Sequence, residues 1–235
     1  MNRHSFKLSL LAFVLLFFAS CTKKNGENNG LNNANKQPFD IMSTKSGSWW
    51  LYSADDGSVF YRYATGQDSL VAGLTYAYFY RIDTTSTMRE HIPEYFGKND
   101  GKYLSLIDVD GKEKDYITYV ILKENPYTGQ SWTNTETKKI QGFNVNMYIE
   151  SNVVNANESI TSNGKTYDSI VHVYNKLQAK LPTMVAYTNC GVLEVWFKKG
   201  VGIIKDKGNI EIAPAGVTLV KKDYGDILLD YYKAP

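Results

Sequence analysis

From about residue 42 onward the apolar positions recur with a period of two. Val59, Tyr61 and Tyr63 alternate with Phe60, Arg62 and Ala64, and Tyr76, Tyr78 and Tyr80 alternate with Ala77, Phe79 and Arg81. That period places successive side chains on opposite faces of a strand. Segments 102–109 (K-Y-L-S-L-I-D-V) and 115–122 (D-Y-I-T-Y-V-I-L) have the β-branched and aromatic content of strands. Turn signals stand between such runs at Asp55-Asp56-Gly57, Asp110-Gly111-Lys112 and Asn163-Gly164-Lys165. Further strands are expected at 143–154, 167–175, 193–198, 201–205, 217–222 and 226–232. No stretch sustains a 3.6-residue apolar period. The best helix candidate, 169–180, opens with Ile170-Val171-His172-Val173-Tyr174 and reads as a strand. The pattern predicts a mainly β domain with little helix. Its about 11–13 antiparallel strands form a curved sheet rolled into a half-barrel or barrel, or else a sandwich.

The first residues follow a different rule. Arg3 and Lys7 precede an apolar run of eleven residues from Leu8 to Phe18, broken only by Ser9 and ending in the small residues Ala19 and Ser20. These are the parts of a secretory signal peptide, residues 1–20. The run falls short of the roughly 20 residues that span a bilayer. Phe18-Ala19-Ser20-Cys21 resembles the lipobox of bacterial lipoproteins, although the family prefers Leu where Phe18 stands. The resemblance implies that Cys21 becomes the lipidated N-terminus; the competing reading is ordinary signal cleavage near Ser20. Two or three acyl chains, at about 0.8 kcal/mol per buried CH₂, anchor durably where one does not. The residue after the cysteine is Thr22, not the Asp that resembles an inner-membrane retention signal. The expected location is therefore the outer membrane, facing either the periplasm or the cell surface. Residues 21–41 hold six asparagines and few apolar side chains, and read as a flexible tether to a single domain at 42–235.

Charge and cysteine content narrow the chemistry. Cleavage removes Arg3 and Lys7 and no acid from 26 basic and 24 acidic residues, which leaves a formal charge of zero. No basic cluster survives to attract nucleic acid. With Cys21 acylated, Cys190 is the remaining thiol and reads as a small buried apolar residue. Asp108-Val109-Asp110-Gly111 looks like the start of a calcium loop, but Lys112 and Lys114 interrupt it. His91 and His172 lack neighbours at metal-ligand spacing, so neither a metal nor another cofactor is expected. No Gly-x-Ser-x-Gly, HExxH or Gly-rich phosphate loop occurs, and the expectation is a non-enzyme. Asp68-Ser69-Leu70, Asp83-Thr84-Thr85 and Asp168-Ser169-Ile170 resemble the O-glycosylation signal of Bacteroidota, at Ser69, Thr84 and Ser169.

The mature chain keeps all 18 tyrosines and 4 tryptophans. Such rings suit a ligand surface, having an apolar face and a polar tip, and they also simply fill strands. Trp49, Trp50, Tyr52, Tyr61, Tyr78, Trp132 and Trp196 are the candidate binding residues. Four pieces, Gly47-Ser48-Trp49-Trp50-Leu51-Tyr52, Gly129-Gln130-Ser131-Trp132, Asn163-Gly164-Lys165-Thr166-Tyr167-Asp168 and Trp196-Phe197-Lys198-Lys199-Gly200-Val201-Gly202-Ile203-Ile204-Lys205, resemble a widespread group of Bacteroidota lipoproteins over about residues 47–222. That group is similar to the half-barrels of the lipoprotein-carrier (Lol) proteins, which hold acyl chains under helical lids; this chain shows no clear lid helices. The expected function is a membrane-anchored envelope protein whose β domain binds an apolar or amphipathic ligand. The alternatives are a structural or protein-interaction component without a ligand cavity, and a glycan-binding module.

Overall fold

The computed structural model describes residues 37–84, 91–108, 116–140, 142–213 and 218–235. The signal peptide, Cys21, most of the tether and the Asp110-Gly111-Lys112 turn lie outside the described residues. Among the described residues thirteen strands follow one another: β1 (Trp49–Ser53), β2 (Val59–Val71), β3 (Leu74–Asp83), β4 (His91–Asn99), β5 (Lys102–Asp108), β6 (Tyr116–Lys123), β7 (Ser131–Ile140), β8 (Phe143–Ser162), β9 (Lys165–Lys180), β10 (Thr188–Lys198), β11 (Gly202–Ile212), β12 (Val220–Tyr224) and β13 (Ile227–Tyr232). No helix occurs among the described residues, and 169–180 is strand, as its β-branched opening requires.

The strands form one antiparallel sheet in the order β6-β5-β4-β3-β2-β1-β13-β11-β10-β9-β8-β7. Strand β12 pairs with the far half of β11 and runs on through Gly225 and Asp226 into β13, which pairs with β1. The two ends of the sheet, β6 and β7, are consecutive in the chain and come close without a ladder between them. The indole N–H of Trp132 on β7 donates to the carbonyl of Val120 on β6 at 3.0 Å. The result is a nearly closed barrel.

The period of two sorts the side chains between inside and outside. Along β2, Phe60, Arg62 and Ala64 are buried while Tyr61 and Tyr63 stay half-exposed; along β8, Val145, Met147, Ile149, Ser151 and Val153 are buried. The last residues of the expected tether, Phe39 to Ile41, are not tether: with Met42 they pack onto one end of this barrel, because two of the three carry apolar side chains. Phe39 stacks on Phe96 at 6.0 Å, and Ile41 and Met42 are buried. The Asp40 carboxylate accepts from the Tyr103 hydroxyl and pairs with Lys199 at 2.8 Å. Burial alone would raise the Asp40 carboxyl, but Lys199, Tyr103 and Lys98 together bring it down to about 2. Gly202 makes this docking fit: its φ is +119°, and a Cβ there would sit 3.2 Å from that of Met42 and 3.5 Å from the Trp50 indole nitrogen. The Gly200-Val201-Gly202 step therefore serves a turn and a close approach, beyond the strand bend that the sequence alone implies.

Candidate functional site

The inward positions near the opposite end of the barrel are charged. Arg62 of β2, Arg81 of β3, Glu94 of β4 and Asp206 of β11 line a cavity of about 370 Å³, together with the β1–β2 turn and residues 223–226. The Arg62 guanidinium, 5% exposed, grips Glu94 through two bonds, one of 3.0 Å from Nη2 to Oε1, and donates to the Tyr52 hydroxyl at 3.1 Å. Tyr52 in turn donates to the carbonyl of Ile203 at 2.9 Å. Arg81 lies flat against Phe60, with Cζ 3.5 Å from the ring centroid, and pairs loosely with Asp226 at 3.6 Å. Asp206 accepts the Asp226 N–H at 3.0 Å, and its own N–H donates to the Asp226 carbonyl at 2.9 Å. These bonds join β2, β3, β4, β11 and the β12–β13 junction, which makes them a brace across the barrel mouth. Asp55, Asp56 and Asp223 surround the opening, so its field favours cations over anions. Among the described residues no group of three His, Cys, Asp or Glu side chains is arranged to hold a metal ion.

Burial, and then the neighbouring Asp226 carboxylate, push the Asp206 carboxyl up to about 7. The folded protein therefore holds this proton more tightly than the unfolded chain does. The stability so gained is full below about pH 4 and is lost as the pH rises through about 7. Asp206→Asn is expected to keep the acceptor for the Asp226 N–H and remove that loss. From about pH 5 to pH 8, urea unfolding of the natural chain should weaken relative to the variant by on the order of 2 kcal/mol. Parallel pH profiles of the two proteins would exclude this role for Asp206.

Outside the barrel the aromatics form rows. Tyr232 stacks on Trp49 at 6.4 Å, Trp49 meets Tyr61 edge-on at 5.7 Å, Tyr61 touches Tyr63 at 5.4 Å, Tyr63 stacks on Tyr80 at 5.3 Å, and Tyr80 stacks on His91 at 4.7 Å. A second row runs from Tyr78 to Tyr95 at 5.3 Å and on to Tyr116. The pairing of β2 with β3 puts Tyr63 directly opposite Tyr80, and that of β3 with β4 puts Tyr78 opposite Tyr95. Tyr63 with Tyr80, Tyr80 with His91 and Tyr78 with Tyr95 cover one another's faces, whereas Trp49 with Tyr61 and Tyr95 with Tyr116 meet edge to face.

The seven candidate residues separate into two sets. Trp49, Tyr61 and Tyr78 belong to the outer rows. Trp50 and Tyr52 are fully buried, with the Trp50 indole N–H 2.5 Å from the carbonyl of Val201. Trp132 is buried at the β6–β7 seam. Trp196 is buried under the imidazole of His172, stacked at 4.1 Å, with its N–H on Glu158 at 3.3 Å. As the barrel stands, these four pack the protein and offer no ring face to a ligand. The outer Tyr63, Tyr80, Tyr95, His91, Tyr116 and Tyr232, and the inner Arg62, Glu94, Asp206 and Asp226, come into these clusters through cross-strand register, which single-strand periodicity does not carry. Cys190 is buried, and burial raises its thiol pKa. Of the three glycosylation-like hydroxyls, Thr84 and Ser169 are exposed and Ser69 is half-buried.

No family model and no curated relative matches the chain. Among solved structures it is similar to a candidate lipoprotein from Parabacteroides distasonis, determined by crystallography at 2.70 Å. The two share 13% sequence identity at a TM-score of 0.48, over 84% of this chain and 100% of that one.

Proposed function

We propose that this chain is a lipid-anchored cell-envelope protein whose barrel works by surface contact with other envelope proteins. In this reading the acyl chains on Cys21 hold it to the outer membrane, and it carries no apolar cargo and catalyses no reaction. One observation carries the reading: side chains fill the barrel. Trp50, Tyr52, Phe60, Phe79 and Phe197 are all fully buried inside it. The cavity at the mouth is lined by carboxylates and arginines, whereas ligand pockets are predominantly apolar with few polar groups. The apolar-ligand expectation thus yields to its protein-interaction alternative. A glycan platform is disfavoured for a separate reason. Sugars stack on open ring faces, and here Tyr63 and Tyr80, like Tyr78 and Tyr95, turn faces toward one another. Tyrosines, with an apolar ring and a polar tip, are instead enriched in protein interfaces.

Native mass spectrometry of the full chain, released from membranes in mild detergent, should give the acylated chain with no further lipid. A lipid-sized adduct lost on denaturation would overturn the reading. A photo-reactive phenylalanine analogue at Tyr63 or Tyr232 should also capture an envelope protein in whole cells. The same analogue at Tyr174, on the other side of the barrel, should not. Equal labelling from all three sites would mean that the aromatic rows are no interface.

A further inference from the structure

We propose that β7 is the contact edge of a homodimer, in which two copies of this chain pair as antiparallel neighbours about a two-fold axis at Thr137. This surface is distinct from the aromatic rows, and the inference stands whether or not those rows have a partner. Strand β7 ends the sheet. It pairs with β8 from Ser131 through Ile140 without a register shift, and its other side meets no ladder among the described residues. The Trp132 bond to β6 lies at the start of the strand, and among the described residues no backbone ladder continues along that edge.

The direction of the unpaired backbone groups follows from the hairpin. Ile140 and Phe143 pair across a two-residue connection, which makes them a hydrogen-bonded pair. Hydrogen-bonded and non-bonded pairs then alternate along the ladder. The even positions from 132 to 140 bond to β8, and Ser131, Thr133, Thr135, Thr137 and Lys139 turn their N–H and C=O groups to the free edge. All five side chains are exposed. An edge without proline or bulge is a template for another strand.

Charge selects which strand. Glu136 and Lys138 lie on the other face of β7, 3.7 Å apart, and would obstruct an arbitrary incoming strand. A second copy can match them in one register. An axis at Glu136 sets glutamate against glutamate, and an axis at Lys138 sets lysine against lysine, both unfavourable across strands. An axis at Thr135 faces Glu136 with Asn134. Only an axis at Thr137 sets each Glu136 against the partner's Lys138, so that four charges alternate in sign around it.

The test uses the full chain in bacterial membranes, carrying single cysteine substitutions. At the axis the two Thr137 positions form a hydrogen-bonded pair with Cα atoms about 5.5 Å apart, within disulfide reach. Thr137→Cys should therefore give a covalent dimer on non-reducing gels. Thr133→Cys, four positions from the axis on the same edge, should remain monomeric, as should the natural chain, whose Cys190 is buried. In the Thr137→Cys background, Glu136→Lys should lower the dimer several-fold, and the exchanged pair Glu136→Lys with Lys138→Glu should restore it. Misfolding cannot produce that restoration. Cross-linking no stronger at Thr137→Cys than at Thr133→Cys, or an exchanged pair that fails to recover, overturns the proposal.

Discussion

Trp50→Ala is expected to destabilise the barrel by about 3–5 kcal/mol, a large part of the about 5–15 kcal/mol that holds a domain of this kind together. Trp49→Ala, one residue earlier, should cost about 1 kcal/mol. The two side chains leave one strand in opposite directions. Trp50 is fully buried and touches Phe79 at 6.0 Å. It also lies against Gly202 beside Met42, and its N–H satisfies the carbonyl of Val201 at 2.5 Å. Truncation leaves a cavity where the barrel meets the docked N-terminal segment, and orphans a buried acceptor. Trp49 loses only outer contacts to Tyr61 and Tyr232. Urea unfolding followed by circular dichroism measures both. Equal costs for the two would show that the inward and outward assignments of β1 are reversed.

Arg62→Ala is the second large effect, at about 3–5 kcal/mol. Removing the guanidinium takes both of its bonds from Glu94, whose side chain is 20% exposed, and deprives the Tyr52 hydroxyl of a donor. It also takes a cation from above the Tyr52 and Phe96 rings, 5.0 and 5.5 Å from their centroids. Lysine should rescue poorly, because one ammonium cannot reproduce the two-point grip on Glu94 and the bond to Tyr52 together. Replacing both partners, Arg62→Met with Glu94→Leu, should recover most of the loss, since matched apolar groups avoid an unpaired buried charge. If the double variant is no more stable than Arg62→Ala, the brace at the barrel mouth is misassigned.

Much of the strand framework is visible in the chain itself. The alternation at 59–64 and 76–81 became β2 and β3, and Asp55-Asp56-Gly57 and Asn163-Gly164 stand at hairpin turns as their residue types demand. The segment 169–180 is a strand because Ile170, Val171 and Val173 are stiff, branched residues that suit a pleated sheet better than a helix. The expected strand at 143–154 runs on to Ser162, and that at 167–175 covers 165–180. Polar tips such as Asn157-Glu158-Ser159 weaken the apolar signal at the ends of long strands, while cross-strand hydrogen bonds continue through them.

The candidate site was less legible, and Trp49 and Trp50 show why. A period of two says that they face opposite ways, but not which of them faces in. That depends on how the sheet rolls, and the roll is set where β1 lies between β2 and β13, pairing Trp49 with Tyr63 on one side and with Tyr232 on the other. The grip of Arg62 on Glu94 and the apposition of Asp206 and Asp226 arise in the same way, from strands aligned in space. Consecutive residues determined the alternation and the turns, because steric preference and local hydrogen bonding act within a few bonds. The tertiary structure alone decided which aromatic rings became core, which became surface rows and which charges met, because burial and cross-strand register exist only once distant segments share a sheet.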